Sequence, residues 1–475
     1  VNWFEQLFGF REHSPDQVRS FLRAENGVLH SSANGSSFRH GQLTTPSLAE
    51  LREQSASLVD SSFTSVSEVV ADVQQLHLDP ENEGALFQVA SQFNLLEMTG
   101  PSVTPEQGIG IYQFDRTQGP ACAIACGAAT VFRNYFVELE GQIGQSENLQ
   151  IDCLAELGQA LGNIDDCLWA MLNGYALPSS EGLEQIVAQI AACDPPALDK
   201  LRGALRIGVQ HAAEVTLEPR PTQPNLVSQA FCSALPVAYS RLASDRWEPF
   251  ARLVLEAAYE ATLLAAALNR EQTGCERVFL TLLGGGAFGN RCEWIVDAIE
   301  RAITRVESAG LDIRIVSYAS PTPDIRRLLT DDYVVRAAEW ADDAEALMSV
   351  RTTVFVEEQN VPVELERDGL DPSCRHAIAF AHPPGSPGGE AEPVGVGRIT
   401  SSGHIGRVAV LPAWRGRGVG TALIRNLMVQ SESPVFDLNA QSHAVAFYQR
   451  LGFVAEGPEF EEAGIPHRRM VYVRS

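Results

Sequence analysis

The sequence predicts an α/β protein built as two domains, and three observations carry that reading. The chain has 475 residues, more than one hydrophobic core ordinarily serves. From about residue 66 to 320, helical periodicity alternates with short apolar runs, the pattern of strands layered against helices. A strand, a glycine-rich turn and a helix follow one another twice, within 278–306 and again within 405–428.

Composition narrows the function classes. Hydrophobic residues make up 45% and charged residues 20%, as in folded soluble proteins. Lys plus Arg number 35 against 60 Asp plus Glu, a net charge of -25. Such a surface repels a phosphate backbone, so nucleic acid is not an expected partner. Any anionic ligand must be held by backbone N–H groups and a few arginines. The nine cysteines are scattered, with no C-x2-C pair and no histidine cluster, so no metal site is expected. Reduced thiols fit a cytoplasmic protein. The first five residues lack the basic start and apolar run of a signal peptide. The most apolar helical stretch, 253–268, carries Glu256 and Glu260 and is too short to span a bilayer, so no membrane is expected.

In chain order, residues 1 to about 65 read as short helices and loops, with Ser47 placed to cap a helix running through Leu51 and Leu58. A first domain is expected over 1–325. The proline-containing stretch 317–324 reads as a linker, and Tyr333-Val334-Val335 opens a second domain over 331–475. Residues 381–393, rich in Pro and Gly, read as a loop between two strands.

The second glycine turn is the more informative. Residues 405–411 form a buried strand, Pro412 ends it, and Arg415, Gly416, Arg417, Gly418, Val419, Gly420 and Thr421 lead into a helix with Leu423, Ile424, Leu427 and Met428 on one face. The glycines let the backbone approach an anion, the N–H groups point at it, and the helix dipole adds attraction. Within this turn there is neither a Walker Lys-Ser/Thr nor a G-x-G-x-x-G. The turn reads R-x-x-G-x-G, and 444–453 ends in F-Y-x-x-x-G-F. Here the sequence resembles the GNAT acetyltransferases. The stretches 351–359 and 461–467 further resemble small bacterial members of that family.

The resemblance implies a GNAT α/β fold with acetyl-CoA as cofactor and an amine, on a small molecule or a protein, as acceptor. It assigns the pantetheine arm to the backbone of Val408 and Val410, the pyrophosphate to Arg415 through Thr421, and a further cofactor contact to Asn439. Tyr448 falls where the family's tyrosine protonates the departing thiolate. An attacking amine must lose a proton. Glu358 is the candidate base, with Glu357 and Asp368 behind it, while His443 reads as a packing or positioning residue.

In the first domain, an apolar run enters Gly284, Gly285, Gly286, Ala287, Phe288, Gly289 and Asn290, followed by a helix and the strand at 313–318. A tight packing turn and an anion cradle are equally good readings of the segment taken alone. In their order along the chain, these elements resemble the second phosphate loop and last strand of macrodomains, which bind ADP-ribose. That implies a three-layer α/β/α fold with a helical insertion at about 138–225. It also implies a strand at 227–239, a helix at 250–269, a first strand opening at Ala71-Asp72-Val73, Asn94 near a ribose, and Gln118-Gly119-Pro120 as the first glycine loop. The usual triple glycine of that loop and the paired glutamates of poly(ADP-ribose) glycohydrolases are absent. The whole reading is an N-acetyltransferase fused to a module that binds or processes an ADP-ribose-type nucleotide. The alternative is a sensor or adaptor that binds both ligands without chemistry.

Overall fold

A computed structural model of the protein describes residues 2–58, 64–218, 223–329, 333–381, 391–415 and 418–474. The chain divides into two compact units, Val1–Thr64 with Glu68–Thr322, and Pro323–Ser475 with Ser65–Ser67.

The first unit is organised by a seven-stranded mixed sheet. Its strands are β1 (Gln42–Thr44), β2 (Ser65–Val70), β3 (Leu86–Ala90), β4 (Gly208–Glu214), β5 (Leu226–Cys232), β6 (Arg277–Leu280) and β7 (Asp312–Ser317), in the order β1-β4-β5-β3-β6-β7-β2. Central β3 runs parallel to β5 and β6 and is buried almost throughout. A parallel strand covered on both faces needs such a continuous apolar run. Helix α1 (Leu48–Ser55) starts at Ser47, whose hydroxyl and the Glu50 carboxylate form a reciprocal capping box. Helices α2 (Gln118–Ala125) and α3 (Gly127–Tyr135) pack on β3 and β4. The long α4 (Glu248–Thr273) packs on α5 (Cys292–Ile303), β5 and β6.

Several expectations are corrected. Residues 22–39 fold as a small three-stranded sheet. The described residues of 138–225 hold three α-helices, but the stretch is not wholly an insertion, because Gly208–Glu214 is a strand of the main sheet. Gln210 and His211 break its apolar pattern, and the structure tolerates Gln210 by bonding it to the His40 carbonyl at 2.6 Å. Asp72 does not lie in a strand. Its carboxylate accepts from the Gln74 N–H and starts the helix Val73–Leu78, after β2 has ended.

The second unit is a seven-stranded sheet of β8 (Tyr333–Ala338), β9 (Arg375–Ala381), β10 (Glu392–Ile399), β11 (His404–Val410), β12 (Val435–Gln441), β13 (Val454–Glu462) and β14 (Ile465–Val473), ordered β8-β9-β10-β11-β12-β14-β13. Alternation along β9 sends Ala377 and Ala379 to one face and Ile378 to the other. On Ile378's side lies α6 (Trp340–Arg351), continued by a wider helical turn over Thr352–Glu358. On the other side lie α7 (Val419–Val429) and the short α8 (Val445–Arg450). The loop expected between β9 and β10 lies largely outside the described residues.

Candidate functional site

Among the described strands of the second sheet, β11 and β12 are the one parallel pair, and they part early. They are in register at His404↔Asp437 and Ile405↔Leu438 and no further. Arg407, at φ 54, sits in the left-handed region that side chains rarely adopt, and the register with β10 slips beside it. Such a bulge bends a strand away from its neighbour. A slot therefore opens through the sheet, with Val408 and Val410 on one side and Asn439 and Ala440 on the other.

The turn after β11 leads to the end of that slot. Gly416 and Arg417 lie outside the described residues. Gly418 has φ +83, and a Cβ there would stand 2.5 Å from the Arg327 carbonyl oxygen and 3.0 Å from the Tyr333 hydroxyl, so glycine is required. As N-cap it brings no side chain, which leaves the first amides of α7, at Val419, Gly420 and Thr421, without a side-chain cap. A Cβ on Gly420 would lie 3.3 Å from Phe447 and 3.9 Å from Val410, so this glycine lines the slot where α8 borders it. Uncapped amides at a helix start suit phosphate groups, and a parted strand offers backbone to an extended arm. A thioester cofactor with a pyrophosphate fits these residues.

The acid and base candidates separate. Tyr448 packs among Phe447 and Phe453, its hydroxyl makes no hydrogen bond among the described residues, and burial pushes its pKa up to about 12. It is a protonated phenol at neutral pH. Glu358, the candidate base, is ion-paired. Arg415 holds both its oxygens, at 2.7 and 2.5 Å, and keeps the carboxyl below its ordinary range. The same guanidinium donates from Nε to the Val410 carbonyl at 3.0 Å. Asp368 is also spent: Arg398 holds it well below the carboxylate range, and Arg407 bonds it at 3.1 Å. Glu357 and His443 are exposed. The Asn439 amide donates to Glu462 at 3.0 Å.

Sequence reading missed a buried ion network. Arg351, 1% exposed, pairs with Glu366 and with Asp371 (2.7 Å), and Arg398 pairs with Asp371 (2.8 Å) and Asp368. It fastens residues 363–371 onto β10 and β11. The signal was a density of opposite charges in 364–371, which reads as solvated surface until the fold buries it.

In the first unit the two readings of 284–290 divide by position. Gly284 and Gly289, both at positive φ, back onto Ala234 and Ala238. Asn290 closes the loop, its N–H bonding the Gly284 carbonyl at 2.9 Å and its amide the Leu235 carbonyl at 2.9 Å. These residues serve packing. Gly285, Gly286 and Ala287 are exposed, and nothing lies within 4 Å of a Cβ on Gly286. Phe288 packs edge-on against Tyr239, with ring centroids 5.7 Å apart.

Two neighbouring expectations fail. Asn94 is fully buried, accepting from Leu96 N–H at 3.1 Å and donating to Gln150 at 2.8 Å, so its amide is engaged in the interior. Gln118-Gly119-Pro120 is no phosphate loop but the first turn of α2. Its Gln118 amide donates to the Gln88 carbonyl (2.7 Å) and accepts from Ala90 N–H (2.9 Å), while a Cβ on Gly119 would meet the Ala90 oxygen at 1.9 Å. Nearby Glu97 is buried with its nearest guanidinium nitrogen, on Arg133, at 3.6 Å, and burial pushes its pKa up to about 8. Among the described residues no group of three metal-binding side chains forms and no helix is long and apolar enough to cross a membrane.

The sequence comparisons agree on the second unit. A family model of the acetyltransferase (GNAT) domain matches residues 389–474. The chain is 39% identical over 129 residues to the uncharacterized N-acetyltransferase YjcF of Bacillus subtilis, covering 86% of that protein and 26% of this chain. It is 35% identical over 134 residues to protein ElaA of Escherichia coli, covering 82% of that protein and 26% of this chain. The crystal structure of Escherichia coli ElaA aligns over 99% of its length and 30% of this chain, at 29% identity and a TM-score of 0.26. Through its C-terminal domain, the chain belongs to the GNAT acetyltransferase family.

Proposed function

We propose that the C-terminal domain moves an acetyl group from acetyl-CoA to an amine, with the slot between β11 and β12 as its cofactor site. The observation that carries this reading is the coincidence of parted strands with the uncapped start of α7. The backbone of Val408 and Val410 then holds the pantetheine arm, with Asn439 on the facing strand. Arg415, Gly416, Arg417 and Gly418, with the amides of Val419, Gly420 and Thr421, hold the pyrophosphate. Bound acetyl-CoA supplies an activated acyl carbon and a thiolate leaving group. Tyr448 donates its proton to the sulfur, a role suited to a phenol that stays protonated at neutral pH. The test is thiol release by the full chain with acetyl-CoA and a panel of primary amines. Tyr448→Phe is expected to lower kcat by roughly 10- to 100-fold at unchanged acetyl-CoA affinity. Steady binding without thiol release from any amine would favour a sensor instead.

A second reading concerns the first unit: a macrodomain-like fold whose loop 284–290 takes the phosphates of an ADP-ribose-type nucleotide. It is supported by the exposed Gly285, Gly286 and Ala287. The loop also leaves the carboxyl end of β6 next to β3, where open α/β sheets bind ligands. Calorimetric titration of the full chain with ADP-ribose tests it, and absence of binding sinks it.

A further inference from the structure

Glu358 is paired with Arg415 and Asp368 is held in the ion network, and β14 carries a further candidate for the base. We infer that His467 is the general base that takes the acceptor's proton, through Nε2. The inference rests on the acyltransferase reading above.

Position comes first. Leu438 and Ala440 of β12 face the core under α7, so Asn439 and Gln441 face the α6 side. His467 lies directly opposite Gln441 in the β12–β14 ladder and opposite Phe460 in the β13–β14 ladder, and directly opposed residues share a face. The Gln441 amide donates to Gln359, just past the turn that continues α6, at 2.9 Å, which fixes that side independently. The phosphate end of the slot is at the start of α7, on the other face. An arm threaded between β11 and β12 therefore presents its acyl end on the face that holds Asn439, Gln441 and His467.

Chemistry comes second. Nδ1 of His467 lies 2.7 Å from the Ile465 carbonyl oxygen. A carbonyl only accepts, so Nδ1 bears the hydrogen, and in the neutral ring Nε2 holds the lone pair. Nε2 has no hydrogen-bond partner among the described residues, although the side chain is 9% exposed and its ring stacks on Phe460 with centroids 6.2 Å apart. A buried imidazole with its tautomer fixed and its basic nitrogen idle is prepared to accept a proton. The charged groups on the elements beside it are Glu459, Glu461 and Glu462 of the β13–β14 hairpin, Glu357 and the Arg415-paired Glu358 at the end of the α6 turn, Asp437 on β12, and Arg468 and Arg469 on β14.

In the step itself the amine nitrogen bonds to the thioester carbonyl carbon and passes one proton to Nε2. The carbon–sulfur bond breaks, the sulfur keeps the electron pair and takes a proton from Tyr448, and the imidazolium proton returns to the phenolate through solvent. An amine and a thioester become an amide and a thiol, with no other reactant consumed.

The test uses the full chain with acetyl-CoA and spermidine, ethanolamine or a lysine tripeptide as acceptor probes. His467→Asn keeps a donor where Nδ1 meets the Ile465 carbonyl and removes Nε2, and His467→Gln provides a second replacement. Both are expected to lower kcat by roughly 100-fold, with acetyl-CoA affinity and melting temperature unchanged and partial rescue by added imidazole. Nitrogen-15 spectra of the free protein are expected to show His467 protonated at Nδ1 and bare at Nε2. The inference is overturned by kcat within threefold of the parent, by loss of acetyl-CoA binding in both variants, by failure of imidazole rescue, or by a proton on Nε2 in the free neutral ring. Absence of thiol release by the parent chain with every probe would overturn the acyltransferase reading, and the base with it.

Discussion

Both units contain parallel strands that part beside a glycine-bearing turn, and they treat the opening in opposite ways. In the first unit β3 and β6 are in register at Leu86 and Phe87 and then separate. The edge that separation leaves, the Gln88 carbonyl and the Ala90 N–H, is filled by the amide of Gln118, while the Gln88 side chain accepts from Thr281 N–H at 3.2 Å. In the second unit β11 and β12 separate after Ile405 and Leu438, and among the described residues no side-chain amide bridges the two strands. A parted parallel pair is thus not in itself a binding site. It becomes one where the freed backbone is left for a ligand, and it becomes part of the core where a glutamine imitates the missing strand.

The largest effect expected from this contrast is on cofactor binding. Gly420→Glu places a carboxylate in the open slot, against anionic phosphates. The fold should survive, because an acidic residue suits the first turn of a helix and Phe447 is its nearest neighbour, at 3.3 Å. Acetyl-CoA affinity by calorimetry is expected to fall at least about 100-fold, or about 2.7 kcal/mol. Gly286→Glu, on the other unit, should leave it unchanged. Retained affinity in Gly420→Glu would move the site away from the slot. Next in size is the closed opening. Gln118→Ala strands a carbonyl and an N–H, and urea denaturation is expected to show a loss of about 2–4 kcal/mol in the first unit. Faster hydrogen exchange at Ala90 should accompany it. A loss below about 0.5 kcal/mol would mean that water replaces the glutamine at no cost, and the contrast between the units would fail.

The same contrast explains what was legible in the sequence. The path from β11 through Gly418 to α7 is contiguous, and its parts follow from local rules: an apolar strand, a glycine at positive φ, a helix periodicity. Gln118 is equally conspicuous, yet Gln118-Gly119-Pro120 resembles a phosphate loop, because its partners are 28 and 30 residues away and an amide side chain does not announce what it will bond. Asn94 was misplaced for the same reason, its partner Gln150 being 56 residues distant. His467 was visible in I-P-H, yet its face depends on how β14 registers with β12. Local motifs reported where the backbone turns. The polar side chains that decide whether a turn is open or sealed are set by long-range pairing, which one sequence does not display.

The smallest effect concerns the ion pair at the mouth of the open slot. Arg415 and Glu358 are 57 residues apart and are both more than a third exposed, so their pairing contributes well under about 1 kcal/mol to folding. Its pH dependence has a definite sign. Arg415 lowers the Glu358 pKa in the folded chain, so the folded state binds fewer protons than the unfolded state near the ordinary carboxylate range. The small contribution is therefore present above that range, fades as pH falls through the lowered value, and weakens with salt. Arg415→Ala should shift melting little at neutral pH but weaken acetyl-CoA binding about tenfold, the loss of one charge-assisted contact to phosphate. A variant that binds as tightly as the parent would mean that Arg415 stays on Glu358 when the cofactor arrives. The pair would then be a fixed strut of the slot, and the helix amides alone would hold the phosphates.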